Sequence, residues 1–591
     1  MRFFHVLPPS MLLPFVLASC STQVSGGGGG AGGSATSTST DASATSTGAG
    51  GSAASTGADG STSTDASAST GAGGSAASAS ASTGAAVVCA PLSIVACYGG
   101  PAATQGIGSC SAGTQTCLAD GSGYGACVGE VRPATESCAT SAIDESCDGA
   151  PGCDGACRWN KRFGDGNGSA TAGSLVVDAE GSAIVAFEGV GSADFGGGAL
   201  SLPGLEIWIA KLDSAGDHLW SKVFGVGYGA GLNQIGAAAG LAGEVILTGT
   251  FTGTIDLGGG PLTSQGGSDL FVAKLDRDGH LVWNKRFAVN SPAPQPLGAS
   301  AVVDAAGDVI LSAFAPVGVD FGGGALPYAG GSSDTFIVKL SPSGDHLWSK
   351  AIGSSSYDVI GPFAVDPAGR VVLAGLVSAP ADLGSGVVLP PGEFLLALDA
   401  AGAVAWARSP FAAGAASFFS SLAVDPAGNV VAAGIFDGQV DLGAGPLTST
   451  MKPGGMVPSK DFVVLGLAPD GSTRFSKSFG SSLDEFAPFA VAVDGAGQIV
   501  LGGLIQADVD FGGGALPAQG ETGFLAKLDG DGKHLWSKSY ATTTQFQQII
   551  PVAVGPGGEI VASSTFTGTV DFGCGPLDAG GQHIAVVSLR P

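Results

Sequence analysis

Residues 301–351 read AVVDAAGDVILSAFAPVGVDFGGGALPYAGGSSDTFIVKLSPSGDHLWSKA. Runs of β-branched and apolar residues alternate with Gly and Asp turns, which is the pattern of short strands. Four strands fit, at 301–303, 309–314, 335–340 and 346–351, the last two joined by the hairpin turn Ser341-Pro342-Ser343-Gly344. The unit recurs at a period of about 60 residues from Trp159 to the C-terminus, a period typical of propellers and solenoids. Its clearest marker, Asp-(Phe/Leu)-Gly, stands at Asp194, Asp256, Asp320, Asp382, Asp441, Asp510 and Asp571, with spacings of 62, 64, 62, 59, 69 and 61. An earlier Asp-x-x-Gly turn starts at Asp178, Asp304, Asp366, Asp425 and Asp494, and the second and seventh units carry Gly240 and Gly555 in its place. Seven four-stranded units with no helical period between them predict an all-β chain folded as a seven-bladed β-propeller.

The last strand of the unit decides how the ring closes. Its aromatic is Trp220, Trp283, Trp348, Trp406, Phe475 and Trp536, followed two residues later by Lys222, Lys285, Lys350, Arg408, Lys477 and Lys538. The seventh unit ends at Pro591 without such a strand, whereas Trp159-Asn160-Lys161 precedes the first. The N-terminal strand is therefore expected to complete the seventh blade. The aromatic and basic stripe is read as blade packing, with Lys guarding sheet edges and its stem covering the Trp, rather than as a ligand ring.

Asp425-Pro426-Ala427-Gly428-Asn429, Gly267-Ser268-Asp269 and Phe271-Val272-Ala273-Lys274-Leu275-Asp276 resemble the SBBP-type seven-bladed β-propeller repeats of bacterial cell-surface proteins. The resemblance spans some three quarters of the chain. It implies the propeller fold and a surface location, and no activity.

The sequence of 591 residues has a formal charge of −26, which argues against binding nucleic acid or an anionic membrane through bulk electrostatics. Charged residues are 12% and Gly accounts for 102 positions, a composition of turns rather than long helices. Residues 1–19 carry Arg2 and a short apolar stretch broken by Pro8, Pro9 and Pro14, the pattern of an export signal. Leu17-Ala18-Ser19-Cys20 resembles the lipobox of bacterial lipoproteins. That resemblance implies lipidation of Cys20, a membrane anchor and, with Ser21 next, the outer membrane and the cell surface. Residues 20–88 are almost wholly Gly, Ala, Ser and Thr, and are expected to form a disordered stalk with a reach of roughly 45 Å.

Residues 89–158 form a Cys-rich module with Cys89, Cys97, Cys110, Cys117, Cys127, Cys138, Cys147, Cys153 and Cys157. In an exported chain this density means disulfides, and the absence of Cys-x-x-Cys and of His counts against zinc. Nine is odd, so one thiol is free, joined to Cys574, or joined between molecules. The stretch Asp144-Glu145-Ser146-Cys147-Asp148-Gly149 resembles a metal-binding motif that ends Cys-rich surface modules, which would make Asp144, Glu145 and Asp148 calcium ligands. Solvated turn acids are the alternative, because Ala150-Pro151-Gly152-Cys153 replaces the acids that usually follow.

Within the propeller, 159–591, chemistry-bearing residues are sparse. His218, His280, His346 and His534 share a repeat position beside the hairpin turn, which suits structure better than acid–base catalysis. The repeated Asp of Asp-Phe-Gly is expected to accept N–H bonds within its own turn. Asp276-Arg277-Asp278-Gly279 and Asp529-Gly530-Asp531-Gly532 read as hairpin turns, since the Glu that completes a calcium loop is missing. The Gly runs at 196–198 and 322–324 are not phosphate loops.

No catalytic residue and no cofactor is expected, and calcium is held over as an option. The function that fits is a non-catalytic surface lipoprotein whose propeller binds or scaffolds, with a glycan or an envelope protein as partner. Two alternatives stand beside it: an envelope lyase or hydrolase with its site at the channel mouth, and a calcium-stabilised coat protein. The irregular stretches 411–420 and 448–461 are where non-repeated loop chemistry is expected.

Overall fold

The computed structural model describes residues 88–591 apart from 102–103, 135–143, 145–146, 148–153, 166–169, 202–203, 205, 226–232, 290–297, 332, 385, 412–416, 486–489 and 544–546. The signal, Cys20 and the stalk up to residue 87 lie outside the described residues. Seven four-stranded antiparallel sheets follow one another, each ordered a-b-c-d from its innermost strand. In the third blade Gly298–Val303, Val309–Ala315, Asp334–Leu340 and His346–Ile352 pair in that order, so every expected strand is present. The a strands of neighbouring blades touch around the whole ring and line its axis.

No single core holds this ring together. Among the described residues seven apolar clusters occur, each drawn from two adjacent blades. One joins the seventh blade to the first through Phe163, Ile584 and Val586 against Phe187 and Trp208, which closes the circle. The marker residues Phe195, Leu257, Phe321, Leu383, Leu442, Phe511 and Phe572 are all buried in these seams. Phe321, for example, packs against Phe287 of the preceding blade with ring centroids 5.1 Å apart and the rings tilted by 57°. The Asp before each marker does what its turn requires: Asp320 Oδ1 accepts the Gly322 and Gly324 amides at 2.7 and 3.0 Å. The a–b turn is capped likewise, with Asp304 Oδ1 accepting the Ala306 and Asp308 amides. Where Gly240 and Gly555 replace this Asp, Glu244 and Glu559 reach back from the far side of the turn to the Ala242 and Gly557 amides.

The Trp stripe is a latch between blades. Trp159, Trp220, Trp283, Trp348 and Trp406 donate their indole N–H to carbonyls of Ser214, Arg277, Pro342, Ala400 and Pro469 in the c–d turn of the next blade, at 2.8–3.1 Å. Each ring lies over the Gly of that turn: at Gly402, whose φ is +82°, a Cβ would come within 2.9 Å of Trp348. Lys follows its Trp across the seam, as Lys161 shows by reaching Asp217 at 3.3 Å. The stripe is therefore structural, but its Lys residues serve the seam rather than only the sheet edge.

The N-terminal strand Cys157–Phe163 pairs with Pro576–Leu589 and completes the seventh blade. No c–d turn joins this blade, because its strand d comes from the start of the propeller and its strand c from the end. Gly155 takes the place of the turn Gly under Trp536, and its carbonyl accepts Lys538 Nζ at 2.7 Å. Cys157 is bonded to Cys574 across 417 residues of sequence. Of the three fates open to the odd thiol, this is the one realised. Cys89–Cys117, Cys97–Cys127 and Cys110–Cys147 are also bonded around a small two-stranded sheet, while Cys138 and Cys153 lie outside the described residues.

Buried acids sit in several seams. Burial pushes the Glu393 carboxyl up to about 8, against one hydrogen bond from the Phe419 amide of the next blade at 3.1 Å. A carboxyl protonated in the folded chain and ionised in the unfolded one makes stability fall as pH rises from about 4.5 to about 8. Glu393→Gln should flatten this fall and raise the melting temperature at pH 8 more than at pH 5, read by calorimetry at the two pH values. Replacing Cys157 and Cys574 together by Ser removes a cross-link of the very long-loop class, worth on the order of 2–5 kcal/mol. The double variant should melt several degrees lower, and an unchanged melting temperature would show that the seventh blade holds its closing strand without it.

Candidate functional site

Most of the repeated polar residues are used up by the fold. Asp276 Oδ1 accepts the Asp278 and His280 amides, and Asp529 Oδ1 accepts those of Asp531 and Lys533, so both loops are capped hairpin turns. Burial raises Asp276, but its bonds from His280 and Asp278 outweigh this and hold the carboxyl below the usual range. His218, His346 and His534 open their d strands, pack on Gly197, Gly323 and Gly513, and bond Ser221, Ser349 and Ser537 at 3.0–3.1 Å. His280 does not share their position: it precedes its strand, three residues before Trp283 instead of two, and bonds Asp276 at 3.2 Å. The fourth member of the expected His set is thus one residue out of register. At that place in the second blade Leu281 packs on Gly259.

Along the axis two described hydroxyls are committed between blades, while Ser420 Oγ donates to the Ala433 carbonyl of its own blade. Ser174 Oγ donates to the Ala237 carbonyl, and Ser421 Oγ accepts the Val491 amide at 2.8 Å.

The long insertion of the fifth blade is different. Its stem is fixed: Asp461 accepts the Thr450 amide and hydroxyl at 2.8 and 2.6 Å, and the Ser459 hydroxyl at 2.9 Å. Lys452 Nζ reaches Asp484 at 2.7 Å, and the Lys460 amide reaches the other oxygen of Asp484 at 3.0 Å. Burial raises Asp484, yet the bonds from Lys452 and Lys460 outweigh it and keep this carboxyl below its ordinary value. Lys452 also accepts the Gly455 amide at its carbonyl and donates its own amide to the Val457 carbonyl, which closes a tight turn. On that anchored turn Met451, Met456 and Val457 are 44%, 88% and 55% exposed. Leu483, next to Asp484, is exposed as well. The loop holds this apolar tip in water, an exposure that costs free energy and that the contacts of its own stem do not relieve. The spacing of 69 residues located this loop in the sequence; which of its side chains would be exposed was not readable there.

Two further groups escaped the sequence reading. Asp334 is fully buried beside Asp358, and Asp461 is buried beside Glu485. Burial raises Asp334 to about 6 and Glu485 to about 7, in each case helped by the neighbouring carboxylate. Burial and the same two aspartates also raise Tyr328.

Of the expected metal ligands, Asp144 is buried with its carboxyl against Gly108, and its carbonyl accepts the Ser109 amide at 2.9 Å. Glu145 and Asp148 lie outside the described residues, so the three are not seen together.

No family model and no curated protein matches the chain. Among solved structures it is similar to a protein of unknown function from Bacteroides caccae, at 12% identity over 56% of this chain and 89% of that one, with a TM-score of 0.26. A protein of unknown function from Dyadobacter fermentans is similar at 12% identity, 62% and 96% coverage and a TM-score of 0.33. The Neurospora crassa Pan2 WD40 domain is similar at 10% identity, 73% and 96% coverage and a TM-score of 0.34. Scores this low carry no argument about function, and the propeller assignment rests on the seven sheets and their closure.

Proposed function

We propose that the chain is an exported, non-catalytic binding module of SBBP type, carried on a lipid anchor at Cys20 at the cell surface, whose propeller holds the fifth-blade loop toward an envelope protein. The observation that carries the reading is the anchored apolar tip of Met451, Met456 and Val457. Flexible thioethers and a branched aliphatic group suit an apolar protein surface, whereas a sugar is usually met by aromatic faces and planar polar groups. The disulfides support an oxidising location. The non-catalytic reading draws on the repeated turn Asp and strand His residues, which are already bonded within their own turn or strand.

The test is binding of the purified, oxidised full-length chain to fractionated envelope proteins and to a panel of polysaccharides. Saturable binding to a protein fraction is expected, weakened at least tenfold by Met456→Ser with Val457→Ser while the melting temperature is unchanged. Binding to polysaccharide alone, or binding indifferent to the loop variant, would overturn this reading.

A further inference from the structure

The d–a connection after the third blade reads Gly353-Ser354-Ser355-Ser356-Tyr357-Asp358, and that after the fifth reads Gly480-Ser481-Ser482-Leu483-Asp484-Glu485. The same position, ten residues after the aromatic of strand d, is acidic at no other seam. In both places the acid comes to lie beside a second one, from the start of strand c. A Cβ at Gly353 would lie 2.5 Å from Asp334 Oδ2, and the adjoining Ser354 amide and hydroxyl bond to Asp358. A Cβ at Gly480 would lie 2.5 Å from Asp461 Oδ1, and Ser481 lies beside Glu485 without hydrogen-bonding geometry to it.

These acids are almost completely enclosed. Asp334 and Asp358 are 0% and 1% exposed, and Asp461 and Glu485 are 4% and 2% exposed. Among the described residues no donor stands in hydrogen-bonding geometry to Asp334 Oδ1 or to either carboxylate oxygen of Glu485. Among the described residues no Lys or Arg pairs with any of the four. Enclosing two carboxylates together without a positive charge is expensive.

The second blade shows what the arrangement lacks. There Asp269 holds the position of Asp334 and Asp461, and Arg286 bonds it at 2.6 Å while the Gln265 and Val289 amides complete its shell. In the register of strands c and d, Ala351 and Ser478 stand where Arg286 does. That connection has Ala293 in place of the second acid. Thus one seam has an acid and a guanidinium, while two seams have two acids and none.

We infer that each of these two seams binds a divalent cation, through Asp334 with Asp358 and through Asp461 with Glu485, and that the ion does the work of Arg286. Hard carboxylate and hydroxyl oxygens in an irregular cage suit Ca2+ better than Mg2+, which demands an octahedron. The first ion ties the third blade to the fourth. The second stands at the root of the fifth-blade loop, because Asp461 also holds Thr450 and Ser459, so it stiffens that loop whatever the loop binds.

The experiment counts Ca2+ bound to the full-length, oxidised chain after EDTA stripping, by equilibrium dialysis, and reads Tb3+ luminescence excited through Tyr328 and Tyr357 beside the first site. Two ions lost on variation are expected. Asp334→Asn should remove one ion and the tyrosine-sensitised signal, and Glu485→Gln should remove the other ion and leave that signal. Ala351→Arg, which copies Arg286, should also remove the first ion while melting in EDTA no lower than the parent. This variant keeps the test open if Asp334→Asn fails to fold. Absence of Ca2+ binding at millimolar concentration, or ion counts unchanged in folded variants, would overturn the inference. Partner binding is not read here, so failure of the loop reading leaves this result intact and the reverse.

Discussion

Closure of the ring is the constraint on which everything else depends. A blade buries its apolar faces only against two neighbours, and the seven clusters of this chain are seams, none of them internal to a blade. Remove one seam and two blades expose their faces at once. The closing strand Cys157–Phe163 is therefore not an accessory to the seventh blade but the condition for the other six. Three repeated features serve the same end: the marker Phe or Leu fills a seam, the Trp spans one, and the Gly beneath the Trp lets the two backbones approach.

The fold was legible because its causes repeat. Asp-Phe-Gly, Asp-x-x-Gly and the spacing from Trp to Lys recur often enough to count blades and to notice that the last one lacks a strand. The substitution of Glu244 and Glu559 for the missing turn Asp was not read, since it moves the carboxylate to the other end of the turn. Position beside the hairpin turn is too coarse to place His280, which stands one residue after Gly279 and three before Trp283, whereas His218 stands two after Gly216 and two before Trp220. The partner of Cys574 was also within reach of the sequence. Cys157 precedes Trp159 as His218 precedes Trp220, and Cys574 stands in its marker hairpin as Gly197 does in the first blade. The disulfide replaces, within the seventh blade, a contact that His218 and Gly197 make by packing in the first.

The site was less legible because its causes do not repeat. Exposure of Met456 depends on a turn that Lys452 closes on itself, and nothing in composition signals it. The pairing of Asp461 with Glu485 joins residues from a strand and from a later connection, and only the folded ring brings them side by side. Such features are single events on a periodic scaffold. A reading that weighs residues by recurrence discards them, although a function specific to this chain has nowhere else to reside.

The bond between Cys157 and Cys574 also determines how the molecule carries load. Tension arriving along the chain from the N-terminal side meets the propeller first at the Gly155 and Ala156 carbonyls, which accept Lys538 and the Arg590 amide, and then at Cys157, the first residue of the outermost strand of its blade. Without a cross-link such a pull would peel the strand away one hydrogen bond at a time, the weakest direction for a β ladder. With it, force passes from Cys157 into the hairpin at Cys574 and on into the two central strands of the blade, and the ladder from Trp159 to Phe163 lies behind the point of attachment, under no tension at all.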